Sequence, residues 1–392
     1  SIETNFPQIR LLAVPKGGGA PKDTGMVLDG NLSSGRLKGL LDLRDKELPA
    51  IAATLGEMAR AFADEMNAIH NAHSAVPAPQ VLSGRQTGLL GTDPHGFTGV
   101  STFAVVNENG VVVASQTINF DTLPANATIN DVVALINAGL GGQGTATFVN
   151  GQLSIKSNVA GGGVVVADDP ANPASRGGRG FSHFFGLNDL LVSGQSTNPA
   201  TGVKGTDAHG FAPGGSMYLE VRDANNRIIG SYTLNVTGTS FDDLLAQLNS
   251  PAGLGNYMTF SLDAQGQLVS APKPGFAGAE IHLVSDTTSR GGTGVSFSAF
   301  FGLGHAKQAA FASDLAVRPD IQSNPSRLAL ARFNPAAPPG TPALGEGDNH
   351  GANALFDLGS RKVGFGKAGD LTPVSATLSQ YMGFLLGDAA AW

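Results

Sequence analysis

The chain has 392 residues, of which 14% are charged and 54 are glycine; its formal net charge is −7 and it has no cysteine. An apolar fraction of 41% excludes a disordered polymer, and an acidic balance without a basic stripe excludes a nucleic-acid binder. The missing cysteines exclude disulfides, thiolate catalysis and thiolate metal sites together, and no apolar run reaches the roughly eighteen residues that a membrane span needs.

Residues 1–34 hold two short apolar pieces, at 9–14 and 26–28, parted by Pro15-Lys16-Gly17-Gly18-Gly19. This predicts a β hairpin or the end of a β region. The opening Ser1-Ile2-Glu3-Thr4 has neither the charged nor the apolar part of a Sec leader.

From Gly35 the period becomes helical. Leu48, Ile51, Leu55, Met58, Phe62, Met66 and Ile69 recur every three or four residues and form one apolar stripe. Alanines 52, 53, 59, 61 and 63 add helix propensity. Pro49 either fits a first turn or kinks a longer helix begun near Leu37. Residues 35–75 thus read as the N-terminal part of a helical stem, with Asn67 and His70 as its polar exit. Residues 76–90, with Pro77, Pro79, Gly84 and Gly88, read as a linker.

The chain then repeats itself. Gly91-Thr92-Asp93-Pro94-His95-Gly96-Phe97 returns as Gly205-Thr206-Asp207-Ala208-His209-Gly210-Phe211, and Phe181-Ser182-His183-Phe184-Phe185-Gly186-Leu187 returns as Phe297-Ser298-Ala299-Phe300-Phe301-Gly302-Leu303. The copies stand roughly 115 residues apart and keep the same internal order, which predicts tandem modules at 91–203 and 204–305. Each is expected to be α+β and β-rich. The order begins with two strands, turning at Asn109-Gly110 in one copy and Ala224-Asn225-Asn226 in the other. A third strand follows at 117–120, then a short helix capped by Thr128 or Ser240, further strands, and a closing Phe-rich knot. Phe184, Phe185, Phe300 and Phe301 are the expected repeat cores, each pair against its own short helix.

Residues 306–346, cut by Pro319, Pro325, Pro335, Pro338, Pro339 and Pro342, read as a connecting β and loop segment. Residues 347–392 read as the C-terminal part of the stem. Its helix is expected to be capped by Thr372, with Pro373 in the first turn and Val374, Leu378, Tyr381, Met382, Leu385 and Leu386 on the apolar face. The architecture predicted is α+β and multidomain: a stem of N- and C-terminal helices, with the two modules inserted between them. Within one chain, Leu48, Ile51, Leu55, Met58 and Phe62 are expected to cover Val374, Leu378, Tyr381 and Leu385. Little of either stripe would then remain free, and the chain alone is expected to be monomeric when dilute.

Site chemistry is sparse. Asp93/His95 and Asp207/His209 supply two ligands per copy, fewer than zinc needs, and their flanking glycines suggest turn caps. Ser-Arg-Gly-Gly, at 175–178 and again at 289–292, reads as a repeated tight turn in preference to an anion nest. No Gly-x-Ser-x-Gly elbow is present, and no catalytic, cofactor-binding or metal-ligating residue is assigned.

Gly35-Arg36-Leu37-Lys38-Gly39-Leu40-Leu41-Asp42-Leu43-Arg44-Asp45, followed by Leu55-Gly56, Ala59, Phe62-Ala63 and Asn67-Ala68-Ile69-His70, resembles the flagellar hook-associated protein 1 family. So do Gly345-Glu346-Gly347-Asp348-Asn349 with Ala352-Asn353-Ala354-Leu355, and Phe184-Phe185-Gly186-Leu187. Residues 128–137 and 240–249 resemble the "IN" motif of hook-associated proteins. The resemblance implies a structural protein of the bacterial flagellum, neither an enzyme nor a cofactor carrier. It implies a ring of copies at the hook–filament junction outside the cell, reached unfolded through type III export. Its implied partners are further copies of itself, the hook protein, hook-associated protein 3 and an export chaperone that acts on a C-terminal region. Family members carry long amphipathic segments at both termini, and this chain resembles the part between them. The other readings are a filament cap, a surface adhesin or a carbohydrate-active enzyme with two β modules.

Overall fold

The structure is a computed structural model that describes residues 9–28, 32–194, 200–224 and 226–390. The stretch Ser1-Ile2-Glu3-Thr4 and Asn225 lie outside them.

Strands β1 (Arg10–Ala13) and β2 (Lys22–Val27) pair antiparallel, with Arg10 opposite Val27, in an exposed hairpin. Helix α1 (Arg36–Asp42) runs through a π turn at Leu43–Glu47 into α2 (Leu48–Asn71). Pro49 explains the break in pitch. It lacks an N–H and its ring crowds the preceding turn, so the ladder widens there while the rod continues.

β3 (Val81–Ser83) lies within the linker and pairs with a strand of the first repeat. That repeat centres on β4 (Val100–Val106), flanked antiparallel by β5 (Val112–Asn119) and later by β8. The third strand expected at 117–120 is therefore a correction: residues 112–119 form one strand. Ser115 and Gln116 break no hydrogen-bond ladder, because β5 is an edge strand with a partly exposed face.

Helix α3 (Ile129–Leu140) opens with a capping box between Thr128 and Asp131 and buries Ile129, Val132, Ile136 and Leu140. The hairpin β6 (Gly144–Val149) with β7 (Gln152–Ser157), then β8 (Gly163–Asp168), α4 (Phe181–Phe185) and β9 (Leu191–Val192) complete this half.

The second repeat has the same order: β10 (Ser216–Arg222), β11 (Ile228–Asn235), α5 (Phe241–Asn249), β12 (Met258–Leu262), β13 (Leu268–Pro272), β14 (Glu280–Asp286) and α6 (Phe297–Phe300). Its central strand β10 lies between β11 and β14, as β4 lies between β5 and β8. A Ser240–Asp243 capping box opens α5.

The "IN" motif has a physical role in both copies. The Asn137 carboxamide accepts from Ala146 N (2.7 Å) and donates to Ala146 O (2.9 Å), and Asn249 does the same with Phe260 (2.8 Å each way). The asparagine completes a strand edge from a helix, while the preceding Ile136 or Leu248 is buried. Phe184 and Phe185 lie in a ring cluster with Phe97 and Phe181. Phe300 and Phe301 lie against Phe241 of α5 at centroid distances of 5.9 and 5.7 Å.

Beyond the repeats come α7 (His305–Asp314), β15 (Ala316–Val317) and α8 (Pro319–Ser323). The helix α7 corrects the reading of 306–346 as strand and loop. It lies along α2, where Gly56 has no side chain and lets the Gln308 backbone approach closely. The loop that follows covers the outer face of β4 and β5, packing Ala331, Phe333 and Leu344 on Ala104, Val106 and Val112. This explains why β4 is apolar on both faces.

The C-terminal part is α9 (His350–Leu358), the hairpin β16 (Val363–Phe365) with β17 (Val374–Ala376), and α10 (Leu378–Ala389). Here two expectations are corrected. The cap is Thr377 in a capping box with Gln380, in place of Thr372, and Val374 lies on β17 opposite Phe365. The Val374 pairing makes a strand of the residues after Pro373, so the helix starts later.

Met58, Met66, Val374 and Leu378 pack around Tyr381, which stacks on Phe365 at 3.8 Å. Leu385 is buried and Ile51 and Phe62 are half-buried. Leu48 (53%) and Leu55 (38%) are exposed, which corrects the expectation that the stripe is covered. The α10 face is short and meets α2 on the side of Met58.

Candidate functional site

The rod and the first repeat meet in a buried polar joint. The last two turns of α2 turn Asn67, His70 and Asn71 toward the loop that follows α4, and all three are buried. Asn67 Oδ1 accepts from Leu190 N and Leu191 N, and its Nδ2 donates to Leu191 O, each at 2.8 Å. Asn71 Oδ1 accepts from Ser182 Oγ (2.8 Å) and Asn188 N (2.9 Å), while its Nδ2 donates to Asp189 Oδ1 (2.7 Å). Asn188 Nδ2 returns bonds to the carbonyls of His70 and His73 (3.1 Å each).

His70 is held as one tautomer. Its Nε2 accepts from Ala329 N at 2.8 Å, so Nδ1 carries the proton and donates to Asn188 O at 2.6 Å. Burial pushes its pKa down, because the charged ring would set an N–H against the Ala329 N–H.

A second, ionic layer lies one turn back. Asp64 accepts from Arg179 Nη2 (2.8 Å) and His183 Nε2 (3.1 Å). Burial acts to raise the Asp64 carboxyl, but His183, Arg179 and Arg60 outweigh it and hold it well below the usual range. Arg85 of the linker pairs with Asp189 (3.4 Å) and caps the His183 carbonyl.

The sequence marked Asn67 and His70 as a polar exit; the structure places them inside a joint. Asn71, Asn188, Asp64 and Arg179 were missed. The one signal available was the density of Asn, His and Asp at the end of an otherwise apolar stripe. The two Asp-x-His pairs serve turns. His95 and His209 Nδ1 accept from the amides of Phe97 and Phe211 (3.0 Å each), and Asp93 and Asp207 accept from those of Leu90 and Lys204 (2.8 Å each). Among the described residues no group of three or more His, Asp or Glu is placed to hold a metal, and no helix is long and apolar enough to cross a membrane. The joint is a dense buried polar network in which Arg85 Nε and Arg179 Nη1 are left without a hydrogen-bond partner.

Residues 7–76 match the family model described as the flagellar hook-associated protein FlgK helical domain. No curated protein matches the chain. Among solved structures, the flagellar cap protein FliD from Helicobacter pylori is similar at 12% identity and a TM-score of 0.14, over 52% of each chain. The flagellar hook junction protein FlgK from Burkholderia pseudomallei is similar at 15% identity and a TM-score of 0.13. That likeness covers 93% of this chain and 61% of the Burkholderia protein. The chain therefore spans between half and two thirds of the length of these proteins, and at such TM-scores the assignment rests on the matched helical domain. That match, over the α1–α2 rod and the α2 side of the joint, makes this part of the chain similar to the helical domain of the flagellar hook-associated protein FlgK.

Proposed function

We propose that the chain is the hook–filament junction component, hook-associated protein 1, working outside the cell as a structural element and catalysing no reaction. The observation that carries this is the FlgK helical-domain match over residues 7–76, because it falls on the rod whose end is bonded into the first repeat. In this reading residues 35–75 and 347–392 are the stem. Residues 91–203 and 204–305 are two modules held off it, joined by the 76–90 linker and the 306–346 connection. The joint keeps the first module at a set angle under load.

The partners proposed are further copies in a ring, the hook protein, hook-associated protein 3 and an export chaperone, with delivery through type III export. Leu37, Leu40, Leu48 and Leu55 are 46%, 55%, 53% and 38% exposed and form the surface through which rods are proposed to meet. The chain alone is proposed to be monomeric when dilute, with weak association as concentration rises. Light scattering behind a sizing column tests this: association retained in a Leu48→Asp/Leu55→Asp variant excludes the leucine surface.

The functional test is deletion of the gene that encodes the chain. The expected phenotype is cells with hooks, no attached filaments, and filament protein shed into the medium. Full-length filaments on the deleted strain would overturn the junction role.

A further inference from the structure

The two repeats carry matching buried arginines, and one of them lacks its carboxylate. Arg290 donates Nε to His209 O (2.8 Å) and Nη1 to Gly88 O (2.7 Å), and grips Asp93 with both terminal nitrogens (2.7 and 3.1 Å). Leu90 fills the space beside it. A Cβ on Gly210 or Gly291 would meet its methyl groups at 2.7 or 2.8 Å.

The duplication maps Arg290 onto Arg176, Leu90 onto Lys204, and Gly210 and Gly291 onto Gly96 and Gly177. Arg176 keeps the structural half of the pattern. Its Nε donates to Thr201 O (3.1 Å), and its Nη1 to Pro94 O (2.8 Å) and His95 O (2.6 Å). The residue is 2% exposed, yet Nη2 has no hydrogen-bond partner and no carboxylate lies within ion-pair distance among the described residues. Asp207, the counterpart of Asp93, accepts from Lys204 N and does not reach the guanidinium. Lys204 is exposed and leaves open the space that Leu90 closes in the other copy. A cleft of about 470 Å³ results, lined by Gly96, Thr98, Arg176, Gly177, Lys204 and Asp263 among others. Asp263 Oδ1 is engaged by the amides of its own turn, at Gln265 (2.8 Å) and Gln267 (2.9 Å).

We propose that this cleft binds a carboxylate, which completes Arg176 as Asp93 completes Arg290, with Lys204 as the second cation. The carboxylate belongs to a small free acid or to an acidic side chain of a second copy of this chain; both present the same group. The bare glycines let it approach the guanidinium closely, and a planar carboxylate suits the remaining donor edge. A volume of this size is that of a ligand pocket, larger than a packing defect. Burial pushes the Arg176 pKa down to about 10 even though the charges of Asp93 and Asp207 act to raise it, so neither carboxylate compensates the desolvation fully. The proposal is independent of the flagellar assignment.

The probe is glutarate, titrated calorimetrically at low salt against the whole chain, with neutral glutaramide as control. Saturable glutarate binding is expected and none of glutaramide. Lys204→Leu, which supplies the plug of the other copy and leaves the Arg176 clamp intact, is expected to weaken binding by about tenfold or more. Its melting temperature shows whether it folds. No saturable binding, or unchanged binding by folded Lys204→Leu, overturns the site. Light scattering separates the sources. Association suppressed by glutarate and by Lys204→Leu identifies a second copy; glutarate binding without any such effect identifies a free acid.

Discussion

Asn71 is 2% exposed, and its one carboxamide serves Asn67 O, Asp189, Ser182 and Asn188 N. Alanine there leaves buried donors and acceptors with no replacement, at roughly 1–3 kcal/mol each. Asn71→Ala is expected to lower stability by about 3 kcal/mol in urea unfolding, with Asn71→Asp no rescue because it faces Asp189. Two titrations oppose one another. His70 has a lowered pKa, so its contribution is complete above the unfolded value of about 6.5 and is lost as pH falls through it, where the unfolded chain alone takes up the proton. Asp168 is pushed up to about 6 by burial, against hydrogen bonds from Ser101 and Phe181 N. Its contribution is complete at low pH and is lost as pH rises toward 6. Between pH 7.5 and about 5, Asp168→Asn is therefore expected to steepen the loss of stability on acidification, and His70→Gln to flatten it. Chemical denaturation across that range checks both; parallel profiles for the two variants would contradict the assignment.

Among the elements, α2 decides most, and two of its glycine neighbourhoods give opposite outcomes. Gly56 is buried against the Gln308 backbone, so Gly56→Ala must push α7 away, at a cost of about 2 kcal/mol despite the gain in helix propensity. Gly39 in α1 is exposed with nothing near a Cβ, so Gly39→Ala is expected to gain roughly 0.5–1 kcal/mol. Thermal unfolding of the pair reads the sign of each change. This contrast also marks what was legible in the sequence. The α2 stripe, the caps at Thr128 and Ser240 and the doubled order of elements follow from local periodicity and chain similarity. Helix α7 was not legible, because its one large apolar residue, Phe311, gives no helical stripe and its packing on α2 depends on the close approach that Gly56 allows. The Thr377 cap was hidden by Thr372-Pro373, an equally good local signal that loses to the pairing of Val374 with Phe365. The joint was half legible: Asn67 and His70 are polar at a helix end, but their partners at 182–191 lie more than a hundred residues away.

At the scale of the molecule, duplication produced two similar units, and the chain then had to hold them together. One set of buried apolar residues runs from Leu82 to Phe301 across both repeats. At their meeting Arg290, 0% exposed, bonds Gly88 O and Asp93, which precede or open the first repeat. Asp93 is therefore a tie between halves as well as a turn cap. Asp93→Asn keeps the turn's amide contact but leaves the guanidinium charged in a dry site. Breaking one side of a buried pair typically costs about 3–5 kcal/mol, more than a lost surface bridge. Because the cost falls between the repeats and spares each core, their unfolding is expected to uncouple. Scanning calorimetry should show one transition for the repeats of the unaltered chain and two in Asp93→Asn. Asp207→Asn, which has no arginine to lose, is expected to leave the repeats melting together. Two transitions in both variants, or in neither, would place the tie elsewhere.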